Sequence, residues 1–207
     1  MEIRVPTRIE QKDIQDLMKR KAHWVLKNLE WYNQFQYIHA EKEYVNGETF
    51  LYLGRQYRLK IIRSDNEHIA KLKGKYFEVT IPEKTPDDQK SEFAKEALYQ
   101  WYKARATQKI DELVKIYSKK LGIQAPEFKV KLQLKRWGSC TQTNKLNFNM
   151  LAVMAPMEQI KYVIAHELCH VKHKNHSSQF WQSLRIIMPD YEIRKENLRK
   201  DGWKYTL

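Results

Sequence analysis

The stretch from Val163 to Trp181 leaves this chain the fewest choices. It reads Val-Ile-Ala-His-Glu-Leu-Cys-His-Val-Lys-His-Lys-Asn-His-Ser-Ser-Gln-Phe-Trp. His166 and His170 stand four residues apart, so on a helix they share one face and both imidazoles can grip one ion. Zn–N bonds of about 2.0–2.1 Å demand such convergence. Glu167, beside the first histidine, can then reach a water at the metal. The flanks favour a helix: Pro156 suits its start, and Ile160, Val163, Ile164 and Leu168 recur at helical spacing. An amphipathic helix with unrelated surface histidines is the plainer reading. The crowding of further histidines into the same segment weighs against it.

A catalytic zinc takes a third protein ligand and keeps one position open. His173, His176, Glu192 and Glu196 are the candidates. On a continuing helix His173 would lie about 10.5 Å along the axis from His166, at ~1.5 Å per residue, beyond the reach of one ion. His176 escapes that limit if the helix ends near Lys174-Asn175, because Asn tolerates the left-handed conformation that turns a chain back. The resulting HExxHxxHxxH has metzincin spacing, with His173 where metzincins carry glycine, so the reversal is expected one or two residues later. His176 is the favoured third ligand, and Glu192 and Glu196 are the fallback. Cys169 points off the ligand face and reads as a small core residue. Cys140 closes Arg136-Trp137-Gly138-Ser139-Cys140. It reads either as a bulge or turn packed under Trp137, or as part of a strand beside the metal with Ser139 or Cys140 facing the cleft.

The remaining organisation follows from periodicity and punctuation. A helix is expected from about Ile9 to Trp31, with Ile14, Leu17, Met18, Val25 and Leu29 on one side. Phe50–Leu53, Tyr57–Ile62 and Tyr76–Ile81 read as short strands in hairpins punctuated by Asn46-Gly47, Gly54 and Lys73-Gly74. A long helix follows, with Thr85 as cap, Pro86 in its first turn, Ala94, Leu98, Trp101, Leu113 and Tyr117 buried, and Gly122 at its end. A break near Ala106 is open. Phe128, Val130, Leu132 and Leu134 alternate with polar residues as in a half-buried strand. Gly138 to Asn144 is turn-like, and Leu146 to Val153 can return as a second strand. A further helix runs from Ser177 to Met188, stopped by Pro189.

Composition narrows the setting. The 207 residues carry a net charge of +13, which favours acidic partners such as nucleic acid, anionic surfaces or acidic polypeptides without choosing among them. Two cysteines are too few for a disulfide framework. The N-terminus shows no apolar signal core, and no apolar run approaches the ~20 residues that span a bilayer. A reducing cytoplasm is the expected location, with no membrane partner.

Several of these segments form an ordered set: Arg136 to Cys140, Leu146-Asn147-Phe148-Asn149, Ala155-Pro156, Tyr162-Val163, His166 to His170, and Asn175-His176 with Phe180-Trp181. Upstream stand Tyr52-Leu53-Gly54-Arg55-Gln56-Tyr57 and Trp101-Tyr102, and downstream Met188-Pro189-Asp190-Tyr191. The set resembles the YgjP-like family of zinc metallopeptidases and, more distantly, SprT-like proteases. It covers the chain from about Tyr44 onward and leaves the N-terminal 40 residues unmatched. The resemblance implies a zincin-type α+β catalytic unit, a zinc site at His166, His170 and His176, and Glu167 as the catalytic glutamate. It also suggests a nucleic-acid setting, since some members accompany restriction-modification or DNA-maintenance systems.

The expected chain is therefore an α+β protein with an N-terminal helical segment (1–43), a β-hairpin region (44–84) and a zincin-like catalytic domain (85–207), the last two either separate or one compact unit. The expected reaction is peptide hydrolysis with Zn²⁺ as cofactor and Glu167 as general base. Arg136, Trp137, Ser139 and Asn149 are candidate substrate-binding residues. Arg136, Tyr162 and Tyr191 are candidate oxyanion donors, and an edge strand around Leu146 to Leu151 is expected to bind substrate by strand addition. The partner is a polypeptide, with DNA-bound proteins as one class. The alternative is a zinc-stabilised nucleic-acid-binding or restriction-system accessory protein with little proteolysis.

Overall fold

The computed structural model of the chain describes residues 10–35, 41–65, 70–133 and 135–207, with backbone only for 24 and 27–35. The fold is α+β and divides into two compact units, Met1–Ala40 and Glu41–Leu207. The first holds α1 (Gln11–Phe35), close to the helix the apolar spacing predicts, although Ile9 and the side chain of Leu29 fall outside the described residues. Leu17 and Met18, on its apolar side, are 40% and 44% exposed. Among the described residues, no helix is long and apolar enough to cross a membrane.

The second unit opens with a four-stranded sheet. Its strands are β1 (Thr49–Tyr52), β2 (Arg55–Arg63), β3 (Ala70–Lys73) and β4 (Tyr76–Ile81), ordered β1-β2-β4-β3. β1–β2 and β3–β4 are antiparallel, whereas β2 and β4 run parallel, in register Leu59↔Phe77. The parallel pairing departs from a plain series of hairpins, because β3 lies outside β4 rather than between β2 and β4. The β1–β2 turn puts Leu53 at φ 49° and Gly54 at φ 78°, the two left-handed positions a tight hairpin needs. Leu53 tolerates this because its N–H bonds the Val153 carbonyl at 2.8 Å and that of Gly54 the Met154 carbonyl at 3.0 Å. A Cβ on Gly54 would stand 2.9 Å from Pro156 Cγ, so the hairpin tip seats against the residue that opens the histidine-bearing helix.

Phe50, Leu59, Phe77, Val79 and Ile81 bury the inner face of this sheet against α2 (Lys90–Leu121). α2 is unbroken, and Ala106 sits fully buried within it. Its start differs from expectation. Pro86 precedes a 3-10 turn, Asp87–Gln89, and Thr85 is buried with its hydroxyl unbonded rather than capping. The end follows the glycine signal: Gly122 has φ 63°, its N–H reaches Lys119, and Ile123 reaches Ser118.

A second sheet, β5 (Phe128–Lys131), β6 (Gly138–Cys140) and β7 (Leu146–Asn149), is ordered β5-β7-β6. β5 stops before Leu132, which is 41% exposed, and Leu134 lies outside the described residues. The turn expected from Gly138 begins at Thr141, since Gly138 to Cys140 pair with Phe148 to Leu146. The apolar run after Asn149 is a buried 3-10 helix, Met150–Met154, rather than more strand. α3 (Met157–Lys172), α4 (Ser178–Ile187) and α5 (Tyr191–Asp201) complete the unit around one shared core.

Candidate metal centre

Helix α3 carries His166, Glu167 and His170, and its placement follows from what it buries. Ile160, Val163, Ile164, Leu168 and Cys169 face the core, leaving the two histidines half-buried on the adjoining side. The helix stops at Lys172 because His173 turns extended, φ −131° and ψ 103°. This is earlier than the Lys174-Asn175 end expected from spacing. No left-handed residue is needed, and Asn175 is not among the positive-φ positions. Lys174 and Asn175 carry the chain back to His176, and Ser177 then caps α4, accepting from the Phe180 N–H at 3.4 Å.

The reversal brings His166, His170 and His176 together, with one ligand atom from each lying within 4.8 Å of the others. Nε2 of His176 is 3.1 Å from Nε2 of His166. Two nitrogens bound tetrahedrally at ~2.0–2.1 Å would stand about 3.3 Å apart, so the pair is set for one ion. His170 Nδ1 lies 3.0 Å from the His173 carbonyl oxygen and donates to it, which leaves Nε2 with a lone pair for a metal. His166 is pushed down to about 3 by burial and by the neighbouring histidines, and His176 is lowered by the same causes. Neutral imidazoles are the form a metal binds. The donor set therefore fits a divalent transition ion of the zinc type.

Two aromatic residues of α4 complete the cluster. The fully buried Phe180 ring lies 5.0, 4.6 and 4.7 Å from the rings of His166, His170 and His176, forming a floor under all three. Trp181 stacks on His176 at 5.4 Å, and Tyr191 stacks on Trp181 at 5.5 Å. Residues four and five positions beyond His176 fall here because α4 begins immediately after that histidine.

Glu167 is buried, and burial pushes its carboxyl up to about 7, against the opposing pull of Arg136. The backbone of β6 lies over it. A Cβ on Gly138 would meet Glu167 Cγ at 2.6 Å and Cδ at 2.9 Å. Gly138 is absent from the positive-φ positions, so the glycine serves clearance rather than an unusual turn. The chain signals this residue only as part of Trp137-Gly138-Ser139.

The other candidates separate. Arg136 is exposed and near enough to Glu167 to influence its proton affinity. Ser139 is half-buried on β6, opposite Asn147. Trp137 packs edge-on against Tyr205 at 5.8 Å and closely approaches Gly202, which ties it to the C-terminal turn. The Asn149 side chain is engaged with backbone groups. Asn149 is buried, accepts from the Leu151 and Gln133 N–H groups, and donates to the Gln133 and Arg136 carbonyls, so its side chain caps the 3-10 helix and holds the segment leading into β6. The expected edge strand is also displaced. β7 (Leu146–Asn149) is the central strand, paired on both sides, and the free edge beside α3 belongs to β6.

His173 turns its Nε2 to Ser183 Oγ at 3.0 Å, Glu192 pairs with Arg185, and Glu196 pairs with Arg199. None of the three joins the histidine cluster. Tyr162 Oη stands 3.5 Å from His166 Nδ1, and Tyr191 donates to Glu192. Cys169 is fully buried, its thiol pushed up to about 12 by desolvation, in keeping with a core role. Cys140 is half-buried on β6, with Lys174 Nζ 3.7 Å from its sulfur.

The sequence model of the YgjP-like family, a metallopeptidase domain, matches residues 1–201 and so includes the N-terminal 40 residues that motif comparison leaves unmatched. Among solved structures, the metallopeptidase zymogen abylysin of Pyrococcus abyssi is 19% identical, covering 43% of this chain and 90% of its own, with a TM-score of 0.41. The metallopeptidase zymogen jannalysin of Methanocaldococcus jannaschii is 26% identical, covering 44% of this chain and 85% of its own, with a TM-score of 0.39. Comparison with curated proteins finds no match.

Proposed function

Because the chain belongs to the YgjP-like family of metallopeptidases, we propose that His166, His170 and His176 hold a zinc ion and that Glu167 is the general base of peptide-bond hydrolysis. The observation that carries this reading is the convergence of three imidazoles beside a buried carboxylate. The chemistry the ion supplies when bound is Lewis acidity, which acidifies water toward a pKa of about 7 and polarises a carbonyl.

The protein's own groups divide the remaining work. His170, held by the His173 carbonyl, keeps the tautomer that leaves Nε2 free. Phe180 excludes water beneath the imidazoles and fixes their rings. Glu167 takes a proton from the attacking water and returns it to the leaving amine, a role suited to a carboxyl raised to about 7. Gly138 provides the clearance that keeps Glu167 in place. The free edge of β6 offers unpaired backbone groups to an extended polypeptide, and Arg136 and Ser139 lie along it. The two free cysteines accord with a reducing cytoplasm.

The charge of +13 favours substrates carried on a polyanion, such as DNA-associated proteins. A zinc-stabilised nucleic-acid-binding protein with little proteolysis is the competing reading of the same charge. One experiment separates the two. Glu167→Gln should bind zinc with the parent's stoichiometry and lose cleavage of casein or of a DNA-bound protein. Cleavage at the parental rate by the variant removes the general-base assignment, and no cleavage by the zinc-loaded parent leaves the binding reading.

A further inference from the structure

The outer face of the four-stranded sheet carries positive charge that peptide hydrolysis does not use. Strand alternation sends Leu59, Phe77 and Val79 inward, so the positions between them face out. Register then sets two rows across β2, β4 and β3: Arg58–Tyr76–Lys73 and Lys60–Glu78–Lys71. Arg58, Lys60, Lys71 and Lys73 are exposed, and Lys75, in the β3–β4 turn, sets its Nζ 5.9 Å over the Tyr76 ring. One carboxylate lies among them. Glu78 is 7% exposed, beneath Lys60 at 3.5 Å and Lys73 at 4.0 Å. Among the described residues, Arg58, Lys71 and Lys75 have no carboxylate within ion-pair distance.

Some cations elsewhere are paired with a carboxylate on their own helix. On α2, Lys109 meets Glu112 at 2.5 Å and Lys115 meets Asp111 at 2.6 Å. On α5, Arg199 and Lys200 share Glu196, and Arg194 meets Asp190. The sheet face sets Arg58, Lys60, Lys71, Lys73 and Lys75 around one half-buried aromatic ring, with Glu78 the single carboxylate among them.

We infer that this face binds single-stranded nucleic acid, its phosphodiester backbone lying along the cation rows and a base stacking on Tyr76. A sheet face with an aromatic ring among its cations is a platform across which a strand with unstacked bases can lie, whereas the bases of a duplex are stacked on one another and cannot stack on that ring. The tyrosine favours nucleic acid over an acidic polypeptide, because every base offers a π-face and a carboxylate chain offers none. The inference deepens the nucleic-acid part of the reading above and does not depend on peptide cleavage.

The test is fluorescence anisotropy of the full chain with a labelled oligothymidylate, its duplex counterpart and polyglutamate as competitor, over a series of salt concentrations. The combined Arg58→Gln, Lys71→Gln and Lys73→Gln variant should bind more than tenfold more weakly at low salt. Its log–log salt slope should be shallower by about 2, at ~0.7 per lost phosphate contact on a single strand. Lys95→Gln, Lys103→Gln and Lys119→Gln on α2 make the same change in charge and should leave the slope unaltered. Lys71→Gln alone, the gentlest change to the sheet, should lower the slope by about 0.7. Tyr76→Leu should weaken single-strand binding about fivefold or more while sparing the duplex. Equal losses from the sheet and α2 variants, equal displacement by polyglutamate, or a Tyr76→Leu variant that binds oligothymidylate like the parent would each overturn the proposal.

Discussion

The candidate ligands sit on two kinds of support. His166 and His170 ride one turn apart on α3, so their separation is set by helix geometry and locked by the core behind it. His176 sits on the turn between α3 and α4, is exposed, and owes its position to contacts made one at a time. Ser177 caps α4, Phe180 and Trp181 pack against the ring, and Lys174 bridges to the Thr141 carbonyl at 3.0 Å and to the Asn144 side chain. Helix supplies spacing cheaply. A turn supplies the third direction that a tetrahedral ion needs and that residues on one helix face cannot provide.

If that contrast is right, His170→Ala should reduce zinc binding most, because the remaining pair then spans the turn. His176→Ala should weaken binding less, since His166 and His170 stay aligned. Isothermal titration of the two variants with zinc gives the ranking, and the reverse order would mean the turn is as well ordered as the helix. Next in size is Gly138→Ala. The added Cβ displaces Glu167, so cleavage should fall on the order of 10²-fold while zinc stoichiometry is kept, as read by activity beside metal analysis. Phe180→Ala removes the floor shared by both supports. It should cost about 3–5 kcal/mol in chemical denaturation and weaken zinc binding as well. Lys174→Met cuts the bridge to the β6–β7 turn, which should weaken zinc binding about tenfold with little change in apo stability. The smallest effect belongs to Ser177→Ala, about 1 kcal/mol by thermal unfolding, with loss of the α4 cap.

Legibility followed the same division. α3 is readable because His166, His170, Ile160, Val163 and Leu168 all obey one short-range period, and Pro156 marks its start. His176 is readable by excluding His173, which a straight helix carries out of range. The route to it is not: the helix ends at Lys172 with His173 extended, held by a bond to Ser183 on the following helix. The role of Asn149 was hidden because its four partners lie on backbone groups, among them those of Gln133 and Arg136, brought alongside by sheet pairing. The parallel β2–β4 pairing was hidden too, since β3 is only four residues long and its alternation does not say on which side of β4 it pairs.

From the order of residues alone came the α+β class, the helix that presents two imidazoles, the glutamate between them and the histidine able to join them, because each is governed by neighbours within a few turns of chain. Tertiary structure alone decided that Gly138 lies against Glu167, that Phe180 underlies three imidazoles, that β6 rather than β7 is the free edge, and that the basic rows align on one face of the first sheet. Those outcomes depend on which distant segments share a core, and close packing and strand register, rather than local periodicity, settle that choice.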